Sequence, residues 1–365
     1  MHLSKICSLA LSVLAMSFAI PTDVSACTGI KLVAKDGSFV HGRTLEFGIQ
    51  LDPSIVVVPR GYEFKATNAK GTGFSYKTKY ASVGAITFDQ LAMLDGLNEK
   101  GLAVGTFYFP GYAKYADLTP QNQANALSAM DFPNWILTQF ATVEEVKDAL
   151  AHVVIVSTID KQWGDQPQPF HYIVYDKSGK SIVIEPLDGK LVTYENKLGV
   201  LTNSPDFAWH TTNLRNFINL TPFNVAPIKL DGVELTPFGQ GSGMVGLPGD
   251  FTPPSRFVRA AIFQTTATPS KNSEEAIFQA FHILNQFDIP VGTIRQKDNG
   301  VIHTDATIFT VTRDPQTLKY YFRSYEDQSI RMVDLSKFDF NAKDVKKAAT
   351  TDFSQPVIDF TSNLK

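Results

Sequence analysis

Cys27 follows Val24-Ser25-Ala26, and the residues around it point to one kind of chemistry. Lys5 gives the start of the chain a basic character, and Cys7 to Ile20 is an apolar run of the length of a signal-peptide core. That run is shorter than the ~20 residues a membrane-spanning helix needs. Val24 and Ala26 then fit a small-residue cleavage site, so residues 1–26 read as a secretory leader. Cleavage after Ala26 would put a thiol and a free α-amine on the same residue. An α-amine titrates at roughly 7.7–8.0, so near neutral pH part of it is a base. It can take the thiol proton and later hand a proton to a departing amine. An amide nitrogen inside the chain can do neither. The same box also fits a lipoprotein signal, in which lipid would block both the thiol and the amine. The leader implies export, to a periplasm or to the outside.

Other chemistries find less support. The seven histidines lie far apart and none has the spacing of a metal-ligand pair, so neither a metal nor a cofactor is expected. A papain-like enzyme would need a histidine beside Cys27, and nothing marks His41, His171 or His303 for that role. There is no G-x-S-x-G elbow and no phosphate-binding loop. Gly241 to Gly246 matches G-x-G-x-x-G, but no strand precedes it and Leu247-Pro248-Gly249-Asp250 follows where a helix should open. The net charge of −3, with no basic run, argues against nucleic acid. Without Cys7 the only cysteine is Cys27, so no internal disulfide is available and the thiol needs another purpose. No second apolar run is long enough to span a membrane.

These residues need elements to position them. Thr28 to Ala34 alternates as a strand, Lys35 to Ser38 is a turn, and Phe39 to Leu45 is the returning strand. Such a hairpin pins a terminus that would otherwise fray and lets Arg43 point back toward Cys27. A guanidinium there would favour thiolate. Strands are expected at Ile55–Pro59, Ala81–Ile86, Leu102–Phe109, Phe170–Asp176, Ser181–Glu185, Leu191–Glu195 and Gly199–Thr202. Asp95 to Gly101 reads as a turn. Helices are expected at Ser128–Phe140, from the capping box at Thr142 to His152, at Asn213–Asn219, at Ser255–Thr265 and at Ser273–Asn285. Thr221 to Phe238 is Pro-rich and reads as a projecting loop or hairpin. Ala306–Thr312 and Lys319–Ser324 form a late hairpin, and the tail from Lys337 runs over the surface. With 44% hydrophobic and 19% charged residues, 27–365 has the composition of a single globular domain. The order of strands and helices is that of an α+β protein, two packed sheets with helices outside.

Several stretches together resemble the choloylglycine hydrolases, the N-terminal-nucleophile (Ntn) hydrolase family of bile salt hydrolases and penicillin V acylases. They are Cys27-Thr28-Gly29, His41-Gly42-Arg43, Asp95 to Gly101, Asp176 to Gly179, Leu201 to Pro205, Gly246 to Ala261 and Tyr320 to Arg323. The resemblance covers nearly all of the chain after the leader. It implies a four-layer αββα sandwich of two antiparallel sheets, and hydrolysis of a linear secondary amide. Cys27 resembles the nucleophile and Arg43 the arginine beside the thiol. Asn203 resembles the side-chain oxyanion donor and Arg256 the second arginine. The Tyr108 backbone N–H would complete the oxyanion hole, and its side chain, with Phe107, would line an apolar acyl pocket. Tyr at that position points toward penicillin V acylase. Glu46 stands where the family usually has an Asp that orders the nucleophile's amine. Penicillin V and acyl homoserine lactones are the expected amides, with conjugated bile salts as the alternative. A lipid-anchored or inactive amide-binding relative is the rival class. The Thr221 to Phe238 segment resembles the family's assembly loop, which implies a homotetramer.

Overall fold

The computed structural model describes residues 26–364 apart from 50, 69, 72, 164, 165, 299 and 351–353. The expected leader up to residue 25 lies outside the described residues. Among the described residues, fourteen strands make two antiparallel sheets. In chain order they are Cys27–Val33 (β1), Phe39–Phe47 (β2), Ser54–Val58 (β3), Ser82–Ile86 (β4), Met93–Asn98 (β5), Ala103–Tyr108 (β6) and Phe170–Tyr175 (β7). Ser181–Leu187 (β8), Lys190–Glu195 (β9), Ile294–Asp298 (β10), Val301–Asp314 (β11), Lys319–Ser324 (β12), Arg331–Asp334 (β13) and Lys346–Ala349 (β14) follow. The first sheet runs β1-β2-β11-β12-β13, with β10 also on β11. The second runs β9-β8-β7-β6-β5-β4-β3-β14.

Helices Pro253–Thr266 (the fourth α-helix, after Phe132–Gln139, Val143–Leu150 and Phe207–Asn213) and Ser273–Leu284 pack on the first sheet against β1, β2 and β11. Phe132–Gln139 packs on the second sheet against β5 and β6. The two sheets face each other through β1 and β6. The result is the expected αββα sandwich. Ser273–Leu284 shows why it forms. Its Ala276, Ile277, Ala280, Phe281 and Leu284 recur at helical spacing and are buried as one stripe against the sheet. Asn272 caps it by accepting from the Glu275 N–H.

The hairpin at Cys27 has the expected form, with Cys27 opposite Leu45 and Gly29 opposite Arg43. Gly29 is dictated by what lies above it, since a Cβ there would stand 2.8 Å from Cζ of Phe107. Several boundaries differ from the sequence expectation. Asp95 to Asn98 is strand, and only the residues after Asn98 turn. Gly96 gave that stretch the look of a turn. It is needed instead for close packing, because a Cβ would meet Leu137 and the Val83 carbonyl at 2.7 Å. The helix expected from Ser128 starts at Phe132, and Ala126–Ser128 is a short strand paired in parallel with Val154–Val156. The helix from Thr142 stops at Leu150. The helix expected at Asn213–Asn219 lies earlier, at Phe207–Asn213, because Asp206 caps it by accepting from Trp209 N–H; a 3-10 turn continues it to Phe217. Gly199–Thr202 makes no full strand and touches the first sheet in one bridge, Leu201 opposite Gly29. The surface tail adds β14 to the edge of the second sheet.

Candidate active site

Cys27 begins the edge strand of the first sheet and is 2% exposed. Its other edge meets the Leu201 segment. The Gly29 N–H donates to Leu201 O at 2.7 Å, and two residues further along the same antiparallel register Asn203 lies opposite Cys27. Asn203 Oδ1 accepts from Cys27 N at 2.8 Å and from Arg256 Nη2 at 2.6 Å, and Asn203 Nδ2 donates to Tyr108 O at 2.7 Å. Two donors on the oxygen and one acceptor at the nitrogen fix the orientation of the carboxamide.

Arg43 points back at Cys27 as the hairpin predicts. Its Nη2 donates to Cys27 Sγ at 3.0 Å, its Nη1 to Thr106 O at 2.6 Å and its Nε to Thr44 O at 3.2 Å. Its guanidinium lies 4.5 Å from the centre of the Phe107 ring. Arg256, in the first turns of its helix, reaches the other side of the same residue. Nη1 donates to Cys27 O at 2.5 Å and to Thr28 Oγ1 at 3.0 Å, and Nε donates to Phe251 O at 2.8 Å. Burial lowers this guanidinium to about 10, with the charges of Glu46 and Cys27 opposing the shift.

Burial also raises the Cys27 thiol above its usual value, and the Glu46 charge adds to the rise. Arg43, Arg256 and the Glu46 backbone N–H pull the other way without winning. Arg43 thus favours thiolate, as its type predicts, but does not produce a standing one. Glu46 follows Leu45, the strand partner of Cys27, and its N–H donates to Ala26 O at 2.9 Å. Its carboxyl accepts from Thr307 Oγ1 at 3.1 Å. Burial pushes it up to about 8 against the pull of Arg256 and Arg43 and hydrogen bonds from Thr44 and Thr307.

The structure therefore brings Cys27, Arg43, Glu46, Asn203 and Arg256 together. Tyr108 joins them through its carbonyl. Tyr108 pairs with Phe170, and the next N–H, of Phe109, donates to Pro169 O, so the Tyr108 N–H points away from that neighbouring strand. Phe107 and Tyr108 are adjacent on β6 and face opposite ways. Phe107 lies under Arg43, while Tyr108 packs edge-on against Phe47 and Phe170, so the two rings do not form one wall. Phe47, Trp163 and Phe88 extend the Tyr108 cluster. None of the three histidines weighed for a papain-like role hydrogen-bonds Cys27 among the described residues. His41 stacks on Tyr175, His171 is paired with Glu185, and His303 is exposed. Among the described residues no group of three or more His, Cys, Asp or Glu is placed to hold a metal ion. No helix among them is long and apolar enough to cross a membrane.

A family model described as linear amide C–N hydrolases, choloylglycine hydrolase family, matches residues 27–348. The chain belongs to that family. It is accordingly a linear amide C–N hydrolase. The chain is 36% identical over 322 residues to a bile salt hydrolase/transferase of Clostridium perfringens, covering 88% of this chain and 95% of that protein. It is 26% identical over 358 residues to a penicillin V acylase of Pectobacterium atrosepticum, covering 92% and 87%. The crystal structure of a mutant conjugated bile acid hydrolase from Clostridium perfringens matches the fold with a TM-score of 0.82 at 32% identity, over 91% of this chain and 99% of that one. The resemblance that named this family from Cys27-Thr28-Gly29 onward is thus met along nearly the whole chain. Thr28 and Thr307 touch the site and carried no sequence signal of their own, because a threonine in a strand reads equally well as packing.

Proposed function

We propose that the chain is exported, cut after Ala26, and then works as an N-terminal-cysteine hydrolase of acyl amides with an apolar acyl group. One observation carries this reading. The nitrogen and the sulfur of Cys27 each meet their own partner, Asn203 Oδ1 at 2.8 Å and Arg43 Nη2 at 3.0 Å, so both atoms face groups of the site. Cleavage would leave that nitrogen as the free amine. A thiol attacks only once it has lost its proton, and the amine of the same residue is the base that takes it.

The thiol proton passes to the amine, and the sulfur attacks the amide carbonyl. The second N–H of Asn203 Nδ2 and the Tyr108 backbone N–H hold the oxyanion, a contribution typically worth about 10²–10³ in rate per donor. The carbon–nitrogen bond breaks as the Cys27 ammonium gives its proton to the departing amine. A thioester remains. Water attacks it, losing a proton to the same amine, and the acid and the free thiol are released. No metal or cofactor takes part in this scheme.

Conjugated bile salts stand first among the substrates, because the identity to the Clostridium perfringens bile salt hydrolase/transferase exceeds that to the penicillin V acylase. Penicillin V is the second reading, favoured by Tyr108; acyl homoserine lactones offer the same bond. A homotetramer is part of the proposal, supported by the apolar side chains that the Thr221 to Phe238 segment exposes. The test is amine release from glyco- and tauro-conjugated bile salts, penicillin V and acyl homoserine lactones. Cys27→Ala should abolish turnover while the protein stays folded, and Cys27→Ser should keep little. An active Cys27→Ala, or an intact mass showing lipid on an active Cys27, defeats the scheme.

A further inference from the structure

The carboxamide of Asn203 can serve Cys27 only while the backbone that carries it stays fixed. The direction of its Cα–Cβ bond is set by the two peptide planes on either side, and each plane is held by a different histidine. His171 Nε2 lies 3.0 Å from Thr202 O, in the plane before Asn203. His210 Nε2 lies 2.8 Å from Asn203 O, in the plane after it. Carbonyl oxygens only accept, so both ring nitrogens carry a proton.

The two rings are themselves held. His171 Nδ1 lies 3.0 Å from Glu185 Oε1, with both side chains fully buried, and the ring stacks on Phe109 with the planes 6° apart. Continuing the β7–β8 register by one residue makes His171 and Glu185 cross-strand partners. The same Oε1 accepts from Phe207 N–H at 3.0 Å, at the first residue of the helix that carries His210. Glu185 therefore ties both histidines to one anchor. His210 stacks on Phe257 with the planes 9° apart. Burial lowers its imidazole to about 4, so near neutral pH it has one proton, on Nε2.

We propose that His171, supported by Glu185, and His210 are positioning residues for Asn203, each fixing one of the peptide planes that aim its carboxamide at Cys27. The proposal rests on the oxyanion role given to Asn203 above. It predicts an effect on the chemical step more than on substrate binding, because a misplaced oxyanion donor weakens the transition state. His210→Phe is the cleanest variant, keeping the ring on Phe257 and deleting only the N–H to Asn203 O. The expected result is a fall in kcat of about tenfold with KM within about twofold. His210→Gln, which retains a side-chain N–H, should recover part of it.

The deciding measurement is a double-mutant cycle with Asn203→Ala, read under enzyme excess so that slow turnover is quantified. The tenfold loss should vanish in the Asn203→Ala background. An equal loss in both backgrounds, or no loss in the parent, overturns the positioning role. Full activity of Asn203→Ala alone overturns the reading of Asn203 instead, so the two failures are distinct. Should His210→Phe not fold, His171→Gln enters the same cycle with the same expectation and the same overturning result.

Discussion

The hairpin of Cys27–Val33 with Phe39–Phe47 and the hairpin of Ile228–Leu230 with Val233–Leu235 are both antiparallel pairs closed by a short turn. In the first, every residue of the returning strand is buried, including the polar ones. In the second, all six strand residues are exposed, although four are apolar. The first is fixed by contacts from three sides: a neighbouring strand, a helix and the opposite sheet. Among the described residues the second pairs only with itself, and a two-stranded ribbon is at best marginal alone in water. Burial lets the first hold an arginine and a carboxyl in a poor solvent for charge, where each needs a named partner. The second bears an apolar surface that two short strands cannot cover.

The largest effect should come from breaking the buried side at Arg256. It alone bonds Cys27 O, Thr28 Oγ1, Phe251 O and Asn203 Oδ1 from one guanidinium. Arg256→Leu removes its donors from Cys27 O, Thr28 Oγ1 and Phe251 O, leaves Asn203 Oδ1 to Cys27 N, and leaves Arg43 to act on Glu46 without its stronger cation. A loss of about 3 kcal/mol is expected. Turnover should fall at least as far as in Asn203→Ala, since Arg256 holds that carboxamide. Arg256→Lys should recover little, because an ammonium cannot span the same fork. Denaturant titration with parallel kinetics checks both, and a variant of wild-type stability would show that the hairpin does not depend on this side chain.

The next effect concerns Glu46 with Ala26 in place. Its carboxyl is raised from 4.5 to about 8, chiefly by burial. The folded chain therefore binds this proton more tightly than the unfolded chain between those values. Stability linked to Glu46 is fully present below about 4.5 and is lost as pH rises through 8. Glu46→Gln should remove this slope and leave other titrations in place. Melting temperature against pH for both proteins measures it, and identical profiles would count against a buried, proton-holding Glu46. An Asp, one methylene shorter, would hold its charge in a different place. Glu46 in place of the Asp that the resemblance implies thus has a thermodynamic reading besides any effect on rate.

How much of this could be read in the sequence differs between the same two regions. The Cys27 hairpin was legible because alternation, the Asp36-Gly37 turn and the position of Arg43 all agree on one register. Asn203 and Arg256 came from resemblance, since they lie 176 and 229 residues from Cys27 and only the fold closes those distances. Nothing local marks Glu185 or His210, and His171 enters only as one of three histidines without a mark for a role beside Cys27. Each is an ordinary strand or helix residue until the sheet register and the Asp206 cap bring it to the Thr202–Asn203 carbonyls. Asp95 to Asn98 was misread as a turn because Gly96 serves packing across the sheet there, which local pattern does not encode. Phe107 and Tyr108 are expected from the resemblance to line the acyl pocket together. Strand alternation sends the two rings apart, one under Arg43 and one toward Phe47.

The smallest effect on the single chain, and the sharpest test of the comparison, lies in the exposed hairpin. Phe223, Val225, Ile228, Leu230, Val233 and Leu235 are all exposed. Changing Ile228, Leu230, Val233 and Leu235 to Thr keeps β-forming side chains and removes apolar surface. Because these residues bury little within their own chain, unfolding of the isolated chain should shift by no more than about 0.5 kcal/mol. The assembled protein should behave differently. If the proposed tetramer covers this surface, the variant should sediment as a smaller species, and its melting temperature should lose any dependence on protein concentration. A variant that keeps the parent's mass would place the subunit contacts elsewhere. A variant that loses stability even as a monomer would mean that this hairpin is held by its own chain after all, which would remove the contrast with the buried hairpin at Cys27.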